Sequence, residues 1–268
     1  MKYAESIREM FPTLDPVVGD LFLLEPHQIA NLPDRAPPME LAAVVRANPQ
    51  LKDYLAAQHP PIAGFLEELL ADRPAGVGAD LAASEQELLW EVGDLICYQK
   101  APQLYDERAP GQDWDTSAIT EVAVIDGMRV IYAGAGTGQV SFKVAPSARH
   151  VFAVEPAQSM RRFIKAKAAR LGVTNLFAMD GTLDAIPLPE SSADLLVTCR
   201  AIGWRLQAEL AEAERVVAAA GAIVHLTGMP DDDWEADEWH RAFIEADYVA
   251  DTYRLGSDRA RRYRKLIS

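Results

Sequence analysis

The segment Val130-Ile-Tyr-Ala-Gly134-Ala-Gly136-Thr-Gly138 constrains this chain more than any other. An apolar run breaks into three alternating glycines, and an amphipathic stretch follows. A second apolar run, Val151-Phe-Ala-Val154, then ends on Glu155. The pattern predicts strand, tight loop, helix and strand, with a carboxylate at the tip of the second strand. Alternating glycines permit unusual backbone angles and let main chain approach a ligand closely. Glu155 lies 21 residues beyond Gly134, close to the separation at which an acid in a βαβ unit meets a nucleotide ribose.

The glycine spacing narrows the ligand. A loop that cradles a pyrophosphate reads G-x-G-x-x-G, because the phosphates must sit against the following helix N-terminus. Here the spacing is G-x-G-x-G, and Gln139 stands where the third glycine of that loop falls. This disfavours a nicotinamide-dependent oxidoreductase. It suits a smaller adenosine-containing cofactor lying across the strand tips.

Apolar runs at 128–133, 150–155, 175–179, 193–199 and 221–228 predict five strands, separated by helical stretches near 138–145, 157–171 and 205–219. Gly172 fits a helix stop. Such alternation implies a parallel sheet with helices on both faces. A helix around 233–246 follows, and then two short strands, Tyr248–Arg254 and Arg262–Ile267, predicted to pair as an antiparallel hairpin at a sheet edge. Asn175-Leu-Phe-Ala-Met179 leads to Asp180-Gly181, and Ser192-Ala-Asp-Leu-Leu-Val-Thr198 leads to Cys199-Arg200. In a doubly wound sheet these tips share one crevice.

Residues 1–120 read differently. Apolar spacing predicts helices over Met39–Ala47 and Pro61–Leu70. Ser84 with Glu87 reads as a capping box opening a helix to about Tyr98, and Asp115 or Thr116 as the cap of one ending near Gly127. Pro74-Ala-Gly-Val-Gly78 reads as a breaker.

Charge bounds the partners. The chain of 268 residues carries a net −14. Residues 1–120 hold 20 acidic against 8 basic side chains, whereas 248–268 hold 2 against 6. A body this acidic repels a phosphate backbone, which argues against nucleic acid. The basic stretch Arg259–Lys265 reads as a solvated strand face pairing with acids of the body. Two cysteines, Cys97 and Cys199, read as free buried thiols in a reducing compartment, with a single disulfide as the rival. The first residues lack the apolar core of a signal peptide, and no run of about 18 apolar residues exists. The expected location is the cytoplasm, with no membrane partner.

Set together, Gly134-Ala-Gly136-Thr-Gly138, Ala153-Val-Glu155-Pro156, Met179-Asp180-Gly181, Ile186-Pro-Leu-Pro189, Ala193-Asp194 and Glu214-Arg-Val-Val-Ala-Ala-Ala-Gly221 resemble a class I S-adenosylmethionine-dependent methyltransferase, of the small-molecule, methyltransferase type 11-like branch. The resemblance implies a Rossmann-like, doubly wound, mostly parallel sheet over residues 121–268 with the C-terminal hairpin. The helical region 1–120 would act as lid and substrate region. S-adenosylmethionine would be the cofactor and an unidentified small molecule the acceptor. Gly134, Gly136 and Gly138 would line the methionine and sugar, beside Ala133, Ala135, Pro156 and Met160. Glu155 would accept from the ribose hydroxyls and Asp180 from the adenine amine, with Gly181 or Thr182 supplying a backbone contact. Thr198 and Arg200 would border the methyl end. The family usually carries Asp or Glu two residues before the first glycine, where this chain has Tyr132. That tyrosine offers a hydroxyl or a ring face to the sulfonium, or packs at a strand end.

Methyl transfer needs positioning, a nucleophile and sometimes a base. The candidates are Tyr98, Tyr105, Arg200 and Trp204, with Trp114 as a further pocket wall. Each has a rival role: core packing for the aromatics, a surface ion pair for Arg200. His225 reads as a satisfied core histidine, and His27, His59 and His150 have no partners at ligand spacing. Asp231-Asp-Asp233 with Asp237 and His240 resemble a metal cluster, but read better as acids complementing a helix dipole, so no metal is expected. Two other readings stay open. One is an enzyme using the same cofactor for intramolecular displacement or elimination; the other is a non-catalytic cofactor-binding interaction module.

Overall fold

The computed structural model describes residues 3–72, 80–108, 116–230, 237–256 and 258–268. The chain divides into two compact units, Met1–Ala109 and Pro110–Ser268. Trp114, Asp115, the breaker at 74–78 and the acids 231–233 fall outside the described residues.

The N-terminal unit is helical. Its elements are α1 (Tyr3–Met10), a 3₁₀ segment (Val18–Leu23), α2 (Pro26–Ile29), α3 (Leu32–Arg35), α4 (Pro38–Ala47), α5 (Pro49–Gln58), α6 (Ile62–Asp72), α7 (Leu81–Glu91), α8 (Gly93–Lys100) and α9 (Pro102–Arg108). Prolines stand in the first turns of α2 to α5, where a missing N–H costs nothing. Leu41, Val44, Val45, Leu51, Leu55, Leu66, Leu88 and Ile96 form its core. The expected helix from Ser84 to Tyr98 is two helices. Asp80 caps α7 by accepting from the Ala82 N–H, and Ser84 is buried inside the helix. The chain breaks at Val92-Gly93, where a β-carbon on Gly93 would stand 2.9 Å from Ile7.

The C-terminal unit runs α10 (Ser117–Thr120), β1 (Arg129–Ala133), α11 (Gln139–Val144), β2 (His150–Val154), α12 (Gln158–Leu171), β3 (Leu176–Met179), β4 (Ala193–Cys199), α13 (Leu206–Val216), β5 (Val217–Pro230), α14 (Glu238–Glu245), β6 (Val249–Leu255) and β7 (Asp258–Leu266). The seven strands form one sheet in the order β3-β2-β1-β4-β5-β7-β6. The first five are parallel and β7 runs antiparallel between β5 and β6. Alternate residues of β1 serve opposite faces. Val130 and Tyr132 join a core with Val140, Val144 and Ile164 of α11 and α12, while Ile131 and Ala133 join one with Leu210, Ala213 and Phe243 of α13 and α14. The sheet is therefore covered on both sides, as a parallel sheet must be.

Boundaries moved where tertiary structure overrode local preference. The run Ala218-Ala-Ala220, ideal for helix, lies in β5 at the irregularity between the pairs Ala193–Val217 and Leu195–Ala222, with Ala220 at φ +64°. The helix expected to reach Gly127 ends at Thr120; Ala118 and Ile119 pack into the core of this unit. Gly172 closes α12 in the left-handed conformation, as its sequence position predicts.

The basic stretch departs from expectation. Arg261 and Arg262 are buried, not solvated. Arg262 forks onto both oxygens of Asp251 at 2.7 and 2.8 Å, and donates to the Ala118 carbonyl and Glu121. Arg261 pairs with Asp237 and Lys265 with Glu214. Pairing is the condition under which guanidinium groups tolerate burial.

Candidate functional site

The strand register builds one row of residues across the sheet. Ala133 of β1 pairs with Val154 of β2 and Thr198 of β4; Val154 pairs with Met179 of β3, and Thr198 with His225 of β5. The four C-terminal tips are therefore level. The next residues outward are Gly134, Glu155, Asp180 and Cys199. Strand order reverses at β1, with β2 and β3 to one side and β4 and β5 to the other, so the crevice opens above Gly134. At about 5 Å between neighbouring strands, Asp180 stands roughly 10 Å across the sheet from the glycine loop.

The loop needs its glycines. Gly134, Gly136 and Gly138 hold φ of +75°, +53° and +81°. A β-carbon at Gly134 would collide with that of Ala201, and one at Gly138 would lie 3.1 Å from Phe142 and Ile164. The Gly134 and Ala135 N–H groups donate to the Val154 carbonyl, binding the loop to the end of β2.

Glu155 is 3% exposed. One carboxylate oxygen accepts from the Gly136 N–H at 2.7 Å and the other from the Ala157 N–H at 2.9 Å. The side chain thus splices the glycine loop to the start of α12. Pro156 is half-buried and Met160 is buried in the first turn of α12.

Asp180 exposes three quarters of its side chain, and its Oδ1 pairs with Arg161 at 2.9 Å. Beyond it, Gly181 lies 2.6 Å, by its missing β-carbon, from the Pro187 ring. Thr182 donates to Asp184 at 2.6 Å, and Asp184 in turn pairs with Arg205. The rims after β3 and β4 are thereby joined. Glu209 of α13 holds the second rim: its carboxylate accepts from the N–H groups of Gly203, Trp204 and Arg205 at 2.5, 3.2 and 3.1 Å. Neither Arg161 nor Glu209 was picked out from the sequence. The only signal for Glu209 is an acid in the first helical turn; Arg161 has none, because it acts six residues back along the chain.

The remaining candidates are distributed as follows. Tyr132 is buried in the core shared with α11 and α12 and hydrogen-bonds with Cys199. Burial pushes the Cys199 thiol up to about 11. Arg200 is exposed at φ +54°, its N–H donating to Leu226, and Trp204 is 64% exposed. Thr198 is buried, 2.8 Å from His225 Nδ1. Tyr98 and Tyr105 lie together within the N-terminal unit, hydroxyls 3.1 Å apart, with Tyr105 stacked on Phe11. Among the described residues no group of three or more His, Cys, Asp or Glu could hold a metal ion. Asp237 caps α14 by accepting from the Trp239 and His240 N–H groups.

His225 is the satisfied core histidine the sequence suggested, between Thr198 and the Tyr248 hydroxyl at 3.4 Å. Burial lowers its pKa from 6.5 to about 3. In the unfolded chain the imidazole protonates below about 6.5. The unfolded state then binds more protons, so this contribution to stability is complete above pH 6.5 and shrinks as pH falls toward 3. Urea midpoints measured from pH 8 to 4.5 should decline for the native chain. They should decline less steeply for His225→Gln. Equal slopes would contradict the assignment.

Residues 130–221 match the family model described as a methyltransferase domain. An uncharacterized methyltransferase from Geobacillus thermodenitrificans is 28% identical over 173 residues, covering 62% of this chain and 76% of the relative. A SAM-dependent methyltransferase from Aquifex aeolicus overlays with a TM-score of 0.49 at 17% identity, covering 57% of this chain and 88% of that one. The YcgJ protein from Bacillus subtilis overlays at 0.44 with 19% identity, covering 51% and 68%. The matched stretch begins in β1, contains the glycine loop, Glu155 and Asp180, and ends as β5 begins. The unit built on it thus carries a stretch similar to a methyltransferase domain.

Proposed function

We propose that this protein transfers a methyl group from S-adenosylmethionine to a small-molecule acceptor, and that the tips of β1, β2 and β3 hold the cofactor. One observation carries the reading. A loop of three left-handed glycines is hydrogen-bonded to a buried acid at the neighbouring strand tip, one strand short of an exposed carboxylate. A β-carbon at Gly134 would collide with Ala201, so the glycine lets the segment after β4 pass close over the tip of β1, and the donor set that fits the cofactor is the loop's main chain with Glu155 and Asp180. Gly134 to Gly138 would face the methionine portion and sugar, Glu155 the ribose hydroxyls, and Asp180 the adenine amine. Thr198, held by His225, would border the reacting end with Arg200. When bound, the cofactor supplies an electrophilic methyl group on a cationic sulfonium. The chain's part is to align the acceptor's lone pair behind that methyl group and exclude water.

The net charge of −14 supports a small acceptor over a phosphate backbone. We assign acceptor contacts to Trp204 and Arg200 on the rim after β4. Free Cys97 and Cys199 suit the reducing cytoplasm. No helix among the described residues is long and apolar enough to cross a membrane.

Calorimetric titration of the whole chain with S-adenosylmethionine and with S-adenosylhomocysteine should give saturable binding of both. No heat from either at millimolar concentration overturns the proposal. Cofactor consumed in the absence of any acceptor would assign the other reaction type, displacement or elimination within the cofactor itself.

A further inference from the structure

We propose that Arg161 is a positioning residue for Asp180, and through it sets the preference for an amino-bearing purine; this rests on the cofactor reading above. Arg161 projects from the first turn of α12 with only 14% of its side chain exposed. Its Nη1 donates to the carbonyls of Glu155 at 2.8 Å and Pro156 at 2.5 Å, and pairs with Asp180 Oδ1 at 2.9 Å. One guanidinium therefore joins the main chain after β2 to the acid after β3. The two carbonyls and the burial fix the guanidinium, and the guanidinium in turn restrains an otherwise exposed carboxylate.

The geometry has a chemical consequence. An exposed aspartate turns freely about two torsions, and an ion pair at the surface contributes little to folding. Here the partner is anchored, so the pair acts on orientation. With Oδ1 engaged, Oδ2 would be the oxygen that accepts from the ligand. An acceptor there favours the exocyclic amine of adenine and disfavours the keto oxygen of hypoxanthine, whose lone pairs would oppose it.

The test titrates the native chain, Arg161→Ala, Arg161→Lys, Asp180→Ala and the double alanine variant with S-adenosylhomocysteine and S-inosylhomocysteine. Circular dichroism checks that each is folded. Arg161→Ala should weaken S-adenosylhomocysteine about tenfold, the size of one charge-assisted hydrogen bond, and narrow the ratio between the two ligands. Arg161→Lys, which keeps a cation on a shorter and more flexible stem, should recover part of that ratio. In the Asp180→Ala background, Arg161→Ala should add almost nothing, because the two act as one unit. An unchanged ligand ratio in Arg161→Ala, or a full additional loss in the double variant, overturns the positioning role while the cofactor reading stands. Failure of the native chain to bind S-adenosylhomocysteine overturns both. If Arg161→Ala does not fold, the Arg161→Lys ratio decides: no shift from the native value overturns the proposal.

Discussion

Glu155→Ala should lose cofactor affinity by about a hundredfold or more, the largest effect expected of any single change at the crevice. Three losses coincide. The Gly136 and Ala157 N–H groups, now 2.7 and 2.9 Å from the carboxylate, would lose that acceptor. At a site 3% exposed water replaces it poorly, and a buried orphan donor costs about 1–3 kcal/mol. The glycine loop would lose its tie to α12, so its left-handed residues would no longer be held in one arrangement. The sugar hydroxyls would lose their acceptor. Glu155→Gln separates these terms. Its single carbonyl oxygen can serve one of the two N–H groups, while its amide nitrogen faces the other donor to donor. It should therefore fall between the native chain and Glu155→Ala, in melting temperature as well as in affinity. Calorimetry with S-adenosylhomocysteine, paired with thermal unfolding, measures both. Native affinity in Glu155→Ala would remove the acid from the site.

The crevice was legible in the sequence because its parts are punctuation. Glycines at positive φ, an acid at a strand tip and a turn after an apolar run are local signals, and in a parallel sheet buried on both faces the strands announce themselves as unbroken apolar runs. Gly172 stopped α12 for the same local reason. What stayed hidden depends on partners distant in sequence. Nothing local says that Arg262 is buried; its partners Asp251, Ala118 and Glu121 lie up to 144 residues away. Ala218 and Ala219 fall at the end of an expected helix because alanine prefers helix, yet the chain is already in β5 there, at an irregularity between its pairs with β4. Tyr132 could not be assigned from its position, since a strand-end tyrosine can face core or ligand. The register places it on the face covered by α11 and α12, in the same core as Val130. Arg161 and Glu209 were silent because they act by gripping backbone, and a side chain that holds main chain leaves no residue-type pattern at its partners.

Gly134→Ala should be the most damaging change of one methyl group. Two costs add. At φ +75° a β-carbon is strained, by about 1 kcal/mol for alanine. The added methyl would also collide with the Ala201 β-carbon, and overpacking of this kind costs about 1–3 kcal/mol. The backbone can escape only by moving, and its N–H is bonded to Val154 while Gly136 is bonded to Glu155. The strain therefore appears in the loop proposed to hold the cofactor, and S-adenosylhomocysteine affinity should fall by more than about tenfold. Two companions make the cause visible. Gly172→Ala carries the same kind of strain, φ +67°, with nothing within 4 Å of the new carbon. It should cost stability alone and leave affinity unchanged. Ala201→Gly removes the collision but not the φ penalty, so the Gly134→Ala/Ala201→Gly pair should recover a large part of the affinity and only part of the stability. If the pair binds no better than Gly134→Ala, the close approach of the two rims is not what shapes this site.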